Sequence, residues 1–136
     1  MNALDTNILV RFFVDDPNDT EAFEQRNIAK EIMRLPCYVP LTVILEVVWV
    51  LFSRYNLAKE TITDILLFLL DMENIEVQES IAIKQATSLF LQGMDFADAL
   101  HLCQTNHCDR LYTFDRKFIK KSLKLNTSPL AILPKI

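Results

Sequence analysis

The sequence predicts an α/β fold, a central, mostly parallel sheet of short strands flanked by helices. Three observations predict it. Short candidate strands (NAL, CYVP, IEVQ, RLYTF, LAIL) alternate along the chain with longer stretches of helical periodicity. Strands separated by helices are joined by crossovers, which is how parallel pairing arises. The composition, 51% apolar with one glycine and five prolines in 136 residues, belongs to a compact, helix-rich chain rather than a disordered one.

Each element has its own signal. Residues 2–4 begin as a strand, and the chain turns into a helix at Thr6 within ALDTNILVRFFV. Thr20 is the candidate N-cap of a second helix, with Glu21 and Glu24 in its first turn and Phe23, Ile28, Ile32 and Leu35 at near-helical spacing. CYVP is a strand ended by Pro40, and residues 42–53 form a helix with Thr42 as candidate cap. AKETITDILLFLLD is an amphipathic helix with its acids early, followed by the strand IEVQ. Residues 79–91 give a further helix, with Ile83, Ala86, Leu89 and Phe90 on one side and Gly93 as its left-handed end. A helix beginning near Phe96 to Asp98, the strand RLYTF, a helical turn or two in DRKFIKK and a last strand LAIL complete the chain. No repeat, linker or low-complexity tract interrupts it, so residues 1–136 read as one domain, long enough to bury roughly two-thirds of its unfolded surface.

Several classes of protein are disfavoured. No apolar run reaches the ~18 residues of a membrane span; ILLFLL is the densest stretch. MNALDTN lacks the basic start of a secretory signal, and three cysteines without framework spacing fit a reducing compartment. A cytoplasmic protein without a membrane partner is the expectation. The net charge of −4, eighteen acids against fourteen Lys and Arg, argues against a protein that coats nucleic acid generally. It leaves room for an enzyme with one locally cationic site.

The chemistry starts from VILEVVWVLF, residues 43–52, where Glu46 stands alone among apolar residues. Burying an unpaired carboxylate costs several kcal/mol, so such a residue is protonated, paired or metal-bound. In a parallel α/β sheet the site lies beyond the carboxyl ends of the strands. Asp5 follows the first strand, Asp115 follows RLYTF, and Asp98 is in the first turn of its helix. With Glu46 these acids are expected to converge. Four carboxylates crowded together need a counter-cation, and hard oxygen donors suit Mg²⁺ or Mn²⁺ rather than zinc. Thr42, Glu46, Trp49 and Ser53 would share one helix face, forming a wall of such a site.

Taken singly, each acid has a plainer reading. Asp5 and Asp115 can cap the helices that follow them, Asp98 can favour a helix N-terminus, and Glu46 can sit on a solvated helix edge. Jointly those readings are weaker than one shared site. His101, Cys103, His107 and Cys108 do not make a zinc set, since only Cys103 and His107 are spaced i,i+4. Asp15–Asp16 before Pro17 is a turn, and Trp49 with the phenylalanines is core or dimer surface rather than a base-stacking platform.

The stretches LDTNILVRFF, Glu46, DFADALHL and TFDRKF, in that order, resemble the four motifs of PIN-domain ribonucleases. More narrowly, they resemble the VapC-type toxins of toxin–antitoxin pairs, over almost the whole chain. The resemblance implies a PIN-like three-layer fold in which Asp5, Glu46, Asp98 and Asp115 are the catalytic, metal-binding acids, the last often acting through water. Thr6 and Asn7 match the polar pair that holds the acids, Thr113 matches a frequent Ser or Thr before the last acid, and Asp95 is a common companion. The implied reaction is hydrolysis of an RNA phosphodiester with Mg²⁺ or Mn²⁺, leaving a 5′-phosphate and a 3′-hydroxyl. The implied partners are RNA, a second copy of the chain and a cognate antitoxin, with DNA reached only through the antitoxin. Arg11, Arg116, Lys117, Lys120 and Lys121 are candidate contacts for RNA phosphates or antitoxin.

Rival readings are weaker. A haloacid-dehalogenase-type phosphatase would carry a second aspartate where this chain has Asn7, and a receiver domain would place an acceptor aspartate where it has Glu46. A non-catalytic PIN-like binding module would be expected to lose acids that this chain retains.

Overall fold

The computed structural model describes residues 1–135, and the chain divides into two compact units, the first Met1–Ser80 and the second beginning at Ile81.

The first unit runs β1 (Asn2–Ala3), α1 (Thr6–Phe13), α2 (Thr20–Ile32), β2 (Cys37–Val39), α3 (Leu41–Ser53), α4 (Lys59–Asp71) and β3 (Ile75–Val77). Two helices lie between each strand and the next, so the sheet β1-β2-β3 is parallel throughout, with Asn2 opposite Cys37 and Val39 opposite Val77. Its middle strand is the driest: Cys37 and Val39 are fully buried. At the carboxyl edge Asp5 follows β1, and Gln78 follows β3 and reaches across to α3. The Gln78 Oε1 accepts from the Leu41 N–H at 3.0 Å, satisfying one of the donors that a helix start leaves open. Thr42, expected as that cap, is exposed and makes no capping bond.

The start of α2 also differs by one residue from expectation. Asp19, not Thr20, is the N-cap, its Oδ1 accepting from the Ala22 N–H at 3.2 Å. The helix ends at Ile32, short of Leu35, and its buried residues are Ala22 and Ala29. The larger apolar residues expected to face the core point outward, with Phe23 63% and Ile28 58% exposed. Small side chains let α2 lie close against α1, which is why alanine rather than phenylalanine marks its inner face. The Asn74 Nδ2 then ties the end of α2 to β3, donating to the carbonyls of Met33 at 2.7 Å and Leu35 at 2.9 Å.

The second unit begins one residue into α5 (Ser80–Leu91) and continues through α6 (Phe96–Gln104), β4 (Arg110–Tyr112), α7 (Arg116–Leu125) and β5 (Leu130–Ile132). Strands β4 and β5 pair in parallel across α7, Arg110 opposite Leu130 and Tyr112 opposite Ile132. Ile83, Ala86 and Phe90 of α5 are buried as expected, and Phe90 meets Phe96 edge-to-face at 5.6 Å. Helix α7 is longer than the turn or two expected, and it closes on Asn126 in the left-handed region at φ 52°. Its buried Ser122 anchors it. Ser122 Oγ accepts from the Ala131 N–H at 2.8 Å and lies 2.6 Å from Thr127 Oγ1, which donates to the Pro129 carbonyl at 2.9 Å.

The fold is therefore α/β, with every strand pairing parallel and helix the dominant element. Among the described residues no helix is long and apolar enough to cross a membrane.

Candidate functional site

In the first unit, Asp5 and Glu46 line one cleft of about 210 Å³ together with Thr6, Asn7, Arg11 and Arg54. Asp5 stands at the end of β1 and begins α1: its Oδ1 accepts from the Thr6 N–H at 2.7 Å. The second carboxylate oxygen has no hydrogen-bond partner among the described residues and remains available to a ligand. Thr6 is 6% exposed, and its hydroxyl is one of the buried polar atoms without a partner among the described residues. Asn7 is exposed at the rim. Arg11 is half-buried and held by neutral groups, its Nε donating to Gln25 Oε1 at 2.9 Å and its Nη1 to Tyr55 Oη at 3.2 Å. Among the described residues it pairs with no carboxylate.

The burial argument for Glu46 is overturned. The buried residues of α3 are Ile44, Val47, Val48 and Leu51, whereas Glu46 is exposed with Thr42, Trp49 and Ser53. These four do share a face, and it is the solvent face. Glu46 needs no metal to be tolerated in its apolar run; its claim to the site rests on sharing the cleft with Asp5.

In the second unit, Asp95, Asp98 and Asp115 line a larger cleft of about 720 Å³. Asp95 is the N-cap of α6, its Oδ2 accepting from the Asp98 N–H at 3.2 Å. Asp115 is the N-cap of α7, its Oδ1 accepting from the Phe118 N–H at 3.1 Å. Thr113 fixes the approach to that cap, its Oγ1 accepting from the Asp115 N–H at 3.0 Å. Asp98 sits half-buried in the first turn of α6. Desolvation raises its carboxyl above the ordinary range, the negative charges of Asp95 and Asp115 push the same way, and His101 opposes them. Lys117, Lys120 and Lys121 line the same cleft, while Arg116 is exposed on α7 outside that lining. Lys124 joins them. The seven-residue step from Lys117, two helical turns, is the signal that identifies it.

The donor chemistry fits a hard divalent cation. Every candidate is a carboxylate oxygen, the capping bonds occupy only one oxygen of each capping aspartate, and Asp98 is repelled by its neighbours in a way that a cation relieves. The acids are grouped in each cleft rather than closed into a ligand set: among the described residues no three His, Cys, Asp or Glu side chains are arranged to hold a metal ion.

Compared with known families, the sequence model of the PIN domain matches residues 3–123, a span that includes every one of these acids and reaches through both units. No curated protein and no solved structure matched the chain.

Proposed function

Because the chain belongs to the PIN domain family, whose members are generally metal-dependent nucleases, we propose that it is a Mg²⁺- or Mn²⁺-dependent ribonuclease, the toxin of a toxin–antitoxin pair. The observation that carries the catalytic part is geometric: Asp95, Asp98 and Asp115 line one cleft, with Asp98 half-buried among them and its carboxyl raised by desolvation and by the two neighbouring charges. Such an arrangement is unfavourable on its own and becomes favourable around a divalent cation.

In this reading Asp98 and Asp115 are metal-holding acids of the second unit's cleft, and Asp5 and Glu46 are metal-holding acids of the first unit's cleft. A divalent cation held by these acids would supply Lewis acidity to an attacking water and offset the charge of an in-line displacement. The remaining work belongs to the chain. Asp95 and Thr113 hold α6 and α7 so that Asp98 and Asp115 keep their places. The Thr6 hydroxyl, buried beside Asp5 without a partner among the described residues, is positioned to hydrogen-bond a water or a ligand of that acid. Arg11, kept in position by Gln25 and Tyr55 and paired with no carboxylate among the described residues, meets a phosphate oxygen of the RNA. No histidine or serine nucleophile is required.

The toxin assignment draws on the ordered motifs and on surface character. Trp49 is 68% and Phe52 51% exposed on α3, and Phe68 59% on α4, an apolar display suited to a second copy and an antitoxin.

Purified protein incubated with total cellular RNA in Mg²⁺ or Mn²⁺ tests the reading, with EDTA and the Asp5→Asn and Asp98→Asn variants alongside. Discrete fragments that disappear with EDTA and with either variant are expected. A folded, metal-supplied protein that cuts no RNA would return the weight to a binding module, or to a phosphatase if small phosphate esters are turned over. Cleavage that survives both substitutions would sink the assignment of the acids.

A further inference from the structure

Charge is distributed unevenly along this chain. Residues 1–115 carry eight Lys and Arg against all eighteen Asp and Glu, whereas residues 116–136 carry six Lys and Arg and no acid. A net of −10 is followed by a net of +6, and such asymmetry is an electrostatic signature of contact with a polyanion. The structure gives the basic stretch a shape. Lys117, Lys120, Lys121 and Lys124 recur at helical spacing on α7, and all four line the cleft that also holds Asp98 and Asp115.

Two further observations bear on this row. None of the four lysines makes an ion pair with a carboxylate among the described residues, although three acids share the cleft. Gly93, the only glycine in the chain, lies beside one of them. It has a positive φ of 104°, and a Cβ added there would stand 2.9 Å from the Lys121 Nζ. The positive φ by itself favours glycine there, and the flexible Lys121 side chain could move aside from an added Cβ, so the distance records how near the ammonium group lies to the Gly93 backbone.

We propose that the lysine row of α7 is a track for the sugar-phosphate backbone of single-stranded RNA, leading the strand away from Asp98 and Asp115; this rests on the ribonuclease reading above. From Lys117 to Lys124 the helix rises about 10 Å. A stacked strand, with a phosphate every ~3.4 Å along its axis, lays about three phosphates beside it. A cleft of about 720 Å³ matches the volume of a few nucleotides of single strand rather than that of a duplex segment. A lipid surface is flat and reaches only lysines on a convex face, and an acidic peptide has no need of the adjoining acids. The row reads phosphate charge and not base identity, so it sets affinity, register and direction rather than sequence.

The experiment is a salt titration of the affinity for a short fluorescent single-stranded RNA in EDTA, with Lys117→Ala, Lys120→Ala and Lys124→Ala and a control that does not line the cleft, Lys30→Ala on α2. Each α7 substitution is expected to flatten the plot of log affinity against log salt by about 0.7, the value for one released single-strand counterion, with Lys30→Ala unchanged. Duplex RNA of equal length is expected to bind more weakly and to ignore the substitutions. RNA binding whose slope does not respond to the three lysines overturns the proposal, and so does wild-type protein that binds no RNA. A lysine-dependent affinity for phosphatidylserine vesicles or for a poly-glutamate peptide, with no such dependence for RNA, overturns it in favour of that partner. The same samples assayed for cleavage in Mg²⁺ separate the two readings. Lysine-dependent binding without cleavage keeps the track and removes the nuclease, and cleavage indifferent to the lysines does the reverse.

Discussion

Asp98 and Asp115 are both acids of one cleft, yet substitution should affect them differently. Asp98 is destabilised as an anion in the folded chain, its carboxyl raised by burial and by Asp95 and Asp115. A carboxyl whose folded value lies above its unfolded value binds protons preferentially in the folded state, so its ionisation lowers stability as pH rises through the raised value. Asp98→Asn is therefore expected to raise the melting temperature of the metal-free protein at neutral pH while lowering cleavage by roughly a hundredfold or more. Calorimetry across pH checks the sign: the advantage of the variant should shrink as pH falls through that raised value, where wild-type Asp98 is protonated. Asp115 carries a second duty as the cap of α7. Asp115→Asn keeps the capping oxygen and Asp115→Ala does not, so alanine should unfold more easily by about 1 kcal/mol while both variants lose cleavage. Equal stability of the two, measured by urea denaturation, would show that the cap contributes nothing.

Helix α7 presents its lysines because its inner side is pinned to β5. The pin is polar and dry: Ser122 is 0% exposed and joins the Ala131 N–H and the Thr127 hydroxyl. Ser122→Ala leaves a buried N–H and a buried hydroxyl short of a partner, a loss of about 1–3 kcal/mol by chemical denaturation. Elements of this kind were only partly legible. The alternation of helices and parallel strands followed from periodicity and chain order, and so did the placing of Asp5 after β1 and of Asp115 after β4, each at the start of a helix. The inner face of α2 did not follow, because Ala22 and Ala29 pack closely while the bulkier Phe23 and Ile28 face water. Glu46 misled for a related reason. Apolar residues such as Trp49 and Phe52 lie on the solvent side of α3, so the unbroken apolar run disguised a helix with one wet face. The Gln78 cap on α3 was beyond reach, since it joins positions 37 residues apart and no local signal marks it.

For the whole molecule, those outward-facing aromatics set an expectation about association. Trp49 is 68% exposed and makes no aromatic stack among the described residues, so Trp49→Ser should change the stability of the isolated chain by no more than about 0.5 kcal/mol. In the proposed homodimer the same change should weaken self-association about tenfold or more, as loss of a buried aromatic anchor does. Sedimentation across a concentration series measures it, and an unaltered dimer would place the contact elsewhere. The uneven charge of the chain adds a dependence on medium. A cationic stretch acting on a polyanion is screened by salt, so turnover of RNA at low substrate should fall steeply between about 50 and 200 mM salt.

Three of the acids in the two clefts, Asp5, Asp95 and Asp115, also begin helices. A lineage that gave up nuclease activity would go on selecting Asp, Asn, Ser or Thr there simply to keep its helices closed. Relatives that retain these three positions are therefore not, on that ground, active enzymes. Glu46 and Asp98 carry no such obligation, and retirement of the activity would be recorded first at those two positions, where a substitution relieves repulsion or changes nothing in the fold.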